Sequence, residues 1–151
     1  MTFNIMAFFD TSGSMSEEDF LACCSELAGL VKTEDGVNVR LVMFDAGLQH
    51  EEEVTSDDQD FMNCRAKARC GYGGTSFLEP MKYLCGEESD DIWVSKATRV
   101  SNPLRPVDLG IIFTDGYAPM PDFQPNIPLI WCLTHNGQED DAMTTVVRMD
   151  P

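Results

Sequence analysis

Phe8-Phe9-Asp10-Thr11-Ser12-Gly13-Ser14-Met15-Ser16 is the stretch around which the chain is organised. It ends a short apolar run, Asn4 to Phe9, and opens directly onto a pattern of helical spacing. A strand, a turn of small hydroxyl residues and a helix, in that order, direct side chains and backbone N–H groups into one small volume. Asp10, Ser12 and Ser14 alternate, so their oxygens share one side of a tight turn. A donor set made only of oxygen suits a hard cation such as Mg²⁺.

Outward from this turn, Ser16 is placed as a helix N-cap, with Glu17, Glu18 and Asp19 in a first turn where acids favour the helix dipole. Phe20, Cys24, Leu27, Leu30 and Val31 recur at three- and four-residue spacing and give that helix one apolar face. Glu34-Asp35-Gly36 ends it. A second strand follows from Val37 to Phe44, with Val37, Val39, Leu41 and Met43 on one face and Val42 and Phe44 on the other. Asp45-Ala46-Gly47 reads as a turn. Leu48 to Thr55 is a polar strand whose run Gln49-His50-Glu51-Glu52-Glu53 suits an exposed sheet edge.

The polar residues 56–69 include a short helical pattern from Asp60 to Lys67, and Gly71-Tyr72-Gly73-Gly74-Thr75 breaks the chain sharply. Ser76 to Cys85 resumes as a helix with Pro80 near its first turn, where proline is tolerated best. Residues 86–106 are polar apart from Trp93, Val94, Val100 and Leu104, and read as a long loop or small hairpin. Leu109 to Phe113 is a buried strand closed by Thr114-Asp115-Gly116; Ile127 to Leu133 is another; Val146 to Met149 adds a last edge strand. Continuous apolar strands alternating with helices predict an α/β fold with a largely parallel sheet covered on both faces.

Composition narrows the function. A chain of 151 residues with 43% hydrophobic and 24% charged residues fits a single globular domain spanning 1–151. With 10 basic against 26 acidic residues and a net charge of −16, it lacks the basic footprint that nucleic acid or an anionic membrane surface requires. No apolar run approaches a membrane span of roughly 18 residues, and the N-terminus has no signal-peptide pattern. The expectation is an intracellular, cytoplasmic protein. Because the first strand follows Met1 almost directly, it is expected to be a stand-alone adaptor or one component of a larger assembly. Cys23, Cys24, Cys64, Cys70, Cys85 and Cys132 include no CxxC pair, so reduced, mostly buried thiols are the expected state, with zinc binding a weaker alternative.

In an open parallel sheet, residues leaving the C-terminal strand ends line one crevice. Asp10 to Ser14 and Asp115 leave strands at that edge, and the glycine-rich turn carrying Thr75 can reach it. Asp10-x-Ser12-x-Ser14, Gly-Gly-Thr75 and Thr-Asp115-Gly in this order resemble the metal-ion-dependent adhesion site (MIDAS) of the von Willebrand factor type A (VWA) family. The resemblance runs from Asn4 to about Leu133. It is strongest to bacterial and phage VWA-like domains of initially unassigned function, through Phe113-Thr114-Asp115-Gly116-Tyr117 and the Pro128–Leu133 stretch with Trp131.

That resemblance implies a Rossmann-like three-layer sandwich, mostly parallel, with one antiparallel edge strand at Leu48 to Thr55. It also implies metal contacts from the Ser12 and Ser14 hydroxyls, and from Thr75 directly or through water. Asp10 and Asp115 would hold coordinated waters, leaving one position for an acidic residue of a protein partner. The metal would be Mg²⁺, with Mn²⁺ or Ca²⁺ as alternatives, and a MoxR-type AAA+ ATPase is the partner class the bacterial relatives bring with them. Residues 86–106 are longer than the corresponding connection expected in those relatives.

Two other function classes compete with this non-enzymatic binding module. A Mg²⁺-dependent phosphohydrolase would use Asp10 as nucleophile, but the dehalogenase-type pattern wants an acid where Ser12 stands, and no lysine motif follows. A structural assembly subunit would use its metal only to tie three loops together. His50 and His135 are isolated and are read as solvent-facing or capping.

Overall fold

The computed structural model describes residues 3–33, 37–46, 48–54, 74–84, 107–122 and 124–150. Strands β1 (Phe3–Asp10), β2 (Val37–Phe44), β3 (Leu48–Val54), β4 (Leu109–Thr114), β5 (Leu129–Leu133) and β6 (Val146–Arg148) form a six-stranded sheet in the order β3-β2-β1-β4-β5-β6. All neighbours run parallel except β2 and β3, which are antiparallel and place β3 at one edge. Helices α1 (Glu17–Thr33) and α2 (Leu78–Leu84) lie on opposite faces.

The two-residue period of each strand divides its side chains between two cores. Ile5, Ala7 and Phe9 of β1 join Val39, Leu41, Met43, Ile111, Phe113 and Cys132 beneath α1, which contributes Phe20, Cys23, Cys24 and Leu27. Met6 and Phe8 point the other way, with Val42, Phe44, Ile112, Trp131 and Leu133, against Phe77, Met81 and Leu84 at α2. Burial on both faces explains why the central strands are largely apolar, with Arg40 of β2 a buried exception. Gly110 of β4 lets α2 come close, since a Cβ there would sit 2.7 Å from a Leu84 methyl.

Several boundaries differ from the sequence reading. β1 and β4 each extend one residue further, to Asp10 and Thr114, because both polar residues are buried and paired rather than left in loops. α2 starts at Leu78, since Ser76 and Phe77 form the turn that enters it; the Ser76 hydroxyl accepts the Leu78 N–H at 3.3 Å. β5 begins at Leu129. Glu51 corrects the expectation of a fully exposed edge run: it is buried in β3, and the Tyr83 hydroxyl of α2 donates to its carboxylate. The helical pattern at Asp60–Lys67, the loop 86–106 with Trp93, and Cys64, Cys70 and Cys85 lie outside the described residues.

Candidate metal centre

Asp10 ends β1, and its two carboxylate oxygens are already committed to the protein. Oδ1 accepts the Ser12 N–H at 2.8 Å, and Oδ2 accepts the Thr114 hydroxyl at 2.6 Å. The first bond folds the chain into an Asx turn; the second joins β1 to β4. The pairing Phe9↔Phe113 sets Asp10 level with Thr114, which is how residues so far apart in sequence meet. Thr11 is buried and donates both its N–H (2.7 Å) and its hydroxyl (3.1 Å) to the Phe44 carbonyl at the end of β2.

Beyond Thr11 the turn is closed by a Met15 N–H to Ser12 carbonyl bond of 3.1 Å, with the Met15 side chain buried beneath α1. Ser16 caps α1 as expected, accepting the Asp19 N–H at 3.0 Å. Inside this turn the Ser12 and Ser14 hydroxyls are hydrogen-bonded to each other at 3.1 Å; Ser12 is buried and Ser14 exposed.

Asp115 leaves β4 beside this turn, 4% exposed, with Oδ1 accepting the Tyr117 N–H at 3.2 Å. Thr114 is bonded on both sides, because its hydroxyl also accepts the Gly116 N–H at 3.1 Å. Gly116 has φ +78°, a left-handed conformation suited to glycine, and a Cβ there would run into the Gln138 carbonyl oxygen. Gln138 in turn donates its N–H to the Asp115 carbonyl at 2.7 Å, so the segment after β5 braces the Asp115 turn.

The third loop arrives from α2. Ser76 donates its N–H to the Asp45 carbonyl at 2.8 Å, tying the Thr75–Ser76 segment to the C-terminal end of β2. Phe77 fixes it from below, packed edge-on against Trp131 (5.0 Å between centroids) and Phe44 (6.2 Å). Thr75 is half-buried, and its hydroxyl makes no hydrogen bond among the described residues.

The sheet therefore gathers the Asp10–Ser14 turn, Asp115 and the Thr75 turn along one edge. Asp10 and Asp115 are close enough for charge to couple them. The Asp10 carboxyl titrates above the usual carboxylate range, chiefly through burial and to a smaller degree through Asp115, against the pull of the Ser12 and Thr114 hydrogen bonds.

The donor set fits a small hard cation. Oxygens at adjacent positions of an octahedral ion, each roughly 2.1 Å from it, lie about 3.0 Å apart, and the Ser12–Ser14 hydroxyl separation of 3.1 Å matches. No group of three or more His, Cys, Asp or Glu side chains suited to a metal occurs among the described residues. The candidate donors are instead two carboxylates, Asp10 and Asp115, and the hydroxyls of Ser12, Ser14 and Thr75.

Two contributors escaped the sequence reading. Thr114 is the bridge between Asp10 and Gly116, and only the β1–β4 register reveals it. Asp45, read as an ordinary turn residue, is buried and supplies the carbonyl that anchors the Thr75 loop. His135 is exposed and the His50 side chain lies outside the described set. Cys23, Cys24 and Cys132 are buried free thiols in the core beneath α1. No described helix is long and apolar enough to cross a membrane.

Solved structures with this fold include the conserved hypothetical protein BatB from Bacteroides thetaiotaomicron, with TM-score 0.56, 16% identity, and 88% of this chain against 67% of that one covered. Proximal thread matrix protein 1 of the mussel byssus aligns with TM-score 0.58 and 16% identity over 91% of this chain, which spans 39% of the mussel protein. A second form of the mussel protein, with a zinc-occupied MIDAS motif, aligns with TM-score 0.56 at 17% identity, over 91% of this chain and 39% of the mussel protein. No curated protein sequence matches. The model of the VWA-like domain family DUF2201 matches residues 5–150, and the chain belongs to that family.

Proposed function

We propose that this protein is a non-enzymatic, Mg²⁺-dependent protein-binding module that captures an Asp or Glu side chain of a partner. Ser12, Ser14 and Thr75 would supply neutral oxygens, while Asp10 and Asp115 would orient coordinated waters. The observation that carries the reading is the paired Ser12 and Ser14 hydroxyls, set 3.1 Å apart over a carboxylate whose two oxygens are already held by Ser12 N–H and Thr114 O–H. When bound, the ion supplies an electrophilic position that a carboxylate can occupy.

The division of labour follows from charge. Hydroxyl donors leave a divalent ion most of its positive charge, so an incoming carboxylate gains a strong contact. Asp10, held from both sides, balances charge from behind without claiming that contact. The full burial of Asp10, with a hydrogen bond accepted at each oxygen, speaks against it as a phosphohydrolase nucleophile, while leaving lone pairs that coordinated water could use. The zinc-occupied MIDAS motif of the mussel protein supports a divalent cation at this edge of the fold.

The test is capture with immobilised protein in Mg²⁺ and in EDTA, alongside a Ser12→Ala/Ser14→Ala variant of unchanged melting temperature. A MoxR-type AAA+ ATPase is the first partner to assay. Binding that requires both Mg²⁺ and the two hydroxyls supports the reading; binding indifferent to both removes it. If metal removal lowers thermal stability while binding persists, the cation is a structural tie between loops.

A further inference from the structure

The turn that follows β5 is bound to the Asp115 turn at three places. Thr134 donates its N–H to the Thr114 carbonyl at 3.1 Å, and Gln138 donates its N–H to the Asp115 carbonyl at 2.7 Å. The Tyr117 hydroxyl donates to the Asn136 carbonyl at 3.2 Å. Between these points Thr134 to Gly137 form a β-turn, closed by a 2.9 Å bond from the Gly137 N–H to the Thr134 carbonyl. The approach is close, since a Cβ on Gly137 would sit 3.0 Å from the Asp115 carbonyl oxygen. Where this turn goes, the Asp115 backbone goes with it.

A side chain from a different element holds the turn in place. The register Leu133↔Arg148 sets Arg148, the last residue of β6, level with the end of β5. From there its guanidinium Nη1 donates to the Gly137 carbonyl at 2.7 Å and to those of Thr134 and His135 at 3.3 Å each. Converging carbonyl oxygens repel one another, and a cation among them offsets that repulsion through charge-assisted hydrogen bonds. A planar guanidinium with fixed N–H directions suits this role better than an ammonium on a flexible stem. The Arg148 contact with Glu139, 3.9 Å long and solvent-exposed on both sides, adds little.

Of the two carboxylates at the metal edge, Asp115 is the one that depends on this arrangement. Asp10 is fixed by its own bonds from the Ser12 N–H and the Thr114 hydroxyl. The Asp115 carboxylate accepts the Tyr117 N–H, and Tyr117 is itself tied to the Arg148-held turn. A small ion with octahedral demands tolerates little displacement of a group that orients its waters.

We propose that Arg148 is a positioning residue for the cation, holding Asp115 in register through the Thr134–Gly137 turn. The inference rests on the metal-dependent reading above and adds a residue, on the edge strand β6, that sets the affinity of the site.

Mn²⁺ titrations of wild type, Arg148→Met and Arg148→Lys test it, each protein shown to be folded by circular dichroism. Removing a positive charge near a cation site would by itself tighten cation binding. Positioning predicts the opposite sign: Arg148→Met should bind Mn²⁺ about tenfold or more weakly. Arg148→Lys keeps the charge, loses the fork and should fall between. In EDTA the Gln138 amide should exchange with solvent faster in Arg148→Met, while the Ser12 amide, bonded to Asp10, keeps its wild-type rate. Affinity in Arg148→Met equal to wild type or tighter overturns the positioning role, even if its melting temperature falls, and leaves the metal reading standing. Absence of Mn²⁺ binding in wild type overturns both. Should Arg148→Met not fold, Arg148→Lys decides alone, and affinity there equal to wild type overturns the proposal.

Discussion

The Thr114 hydroxyl donates a 2.6 Å hydrogen bond to Oδ2 of Asp10 across 104 positions of sequence, and the same hydroxyl accepts the Gly116 N–H. One buried oxygen thereby fixes both carboxylate-bearing turns. Thr114→Val keeps the shape but leaves a buried carboxylate oxygen and a buried N–H each short of a partner. The expected loss is about 1–3 kcal/mol in urea melts, together with weaker cation binding. Thr114→Ser retains the hydroxyl and should recover most of both.

Gly116 tests the brace behind Asp115. At φ +78°, and with the Gln138 carbonyl where a Cβ would go, Gly116→Ala must shift the 134–138 segment. A cost of about 2–3 kcal/mol corresponds to a drop of roughly 5–10 °C in Tm for a chain of this size. A thermal melt within 1 °C of wild type would contradict the interlock.

The raised pKa of Asp10 gives a pH signature in metal-free protein. A carboxyl whose folded-state pKa exceeds its unfolded value is destabilising when ionised, and the penalty is fully present above the folded pKa. As pH falls through that pKa towards the unfolded value, near 3.9 for aspartate, the penalty disappears. In EDTA, wild type should therefore gain stability relative to Asp10→Asn between pH 7 and pH 4.5. Saturating Mg²⁺ should abolish that gain. Stability of wild type relative to Asp10→Asn that declines as pH is lowered in EDTA would contradict the dominance of burial over the Ser12 and Thr114 hydrogen bonds.

Cysteine chemistry probes the core beneath α1. Cys132 is pushed up to about 11 by burial and by the nearby Glu26, and Cys23 is raised by burial and by Cys132. At pH 8 a thiol of pKa 11 is about one part in a thousand thiolate, and the thiolate is the reactive form. Iodoacetamide followed by peptide mass mapping should leave Cys23, Cys24 and Cys132 unmodified in native protein and label all three in urea. Rapid native labelling of any of them would contradict the packing.

Much of this architecture was legible in the chain because its central strands are buried on both faces. Asn4–Phe9, Val37–Phe44 and Leu109–Phe113 are predominantly apolar runs of strand length, and the polar Leu48–Thr55 run suited a sheet edge. The turn Asp10 to Ser14 announced a site through its alternating oxygens. Residues whose meaning depends on partners distant in sequence were not legible. Glu51 sits among Gln49, His50, Glu52 and Glu53, and nothing local separates it from them; a tyrosine hydroxyl from α2 does. Thr114 has the appearance of a strand-end residue until the β1–β4 register brings Asp10 beside it. Asp45 contributes its backbone carbonyl, which leaves no mark on the side-chain pattern.

The account depends on the Asp10–Ser14 turn, the Thr75 turn and the Asp115 turn sharing one divalent ion, and a paramagnetic titration reads this directly. Substoichiometric Mn²⁺ added to ¹⁵N-labelled protein should broaden the amide signals of Gly13, Ser14, Thr75 and Asp115 together and first, and Ser12→Ala/Ser14→Ala should abolish that early broadening. Broadening that begins instead at Glu51–Glu53 or at Glu139–Asp141, or that reaches the Asp10 turn without reaching Thr75 and Asp115, would contradict it.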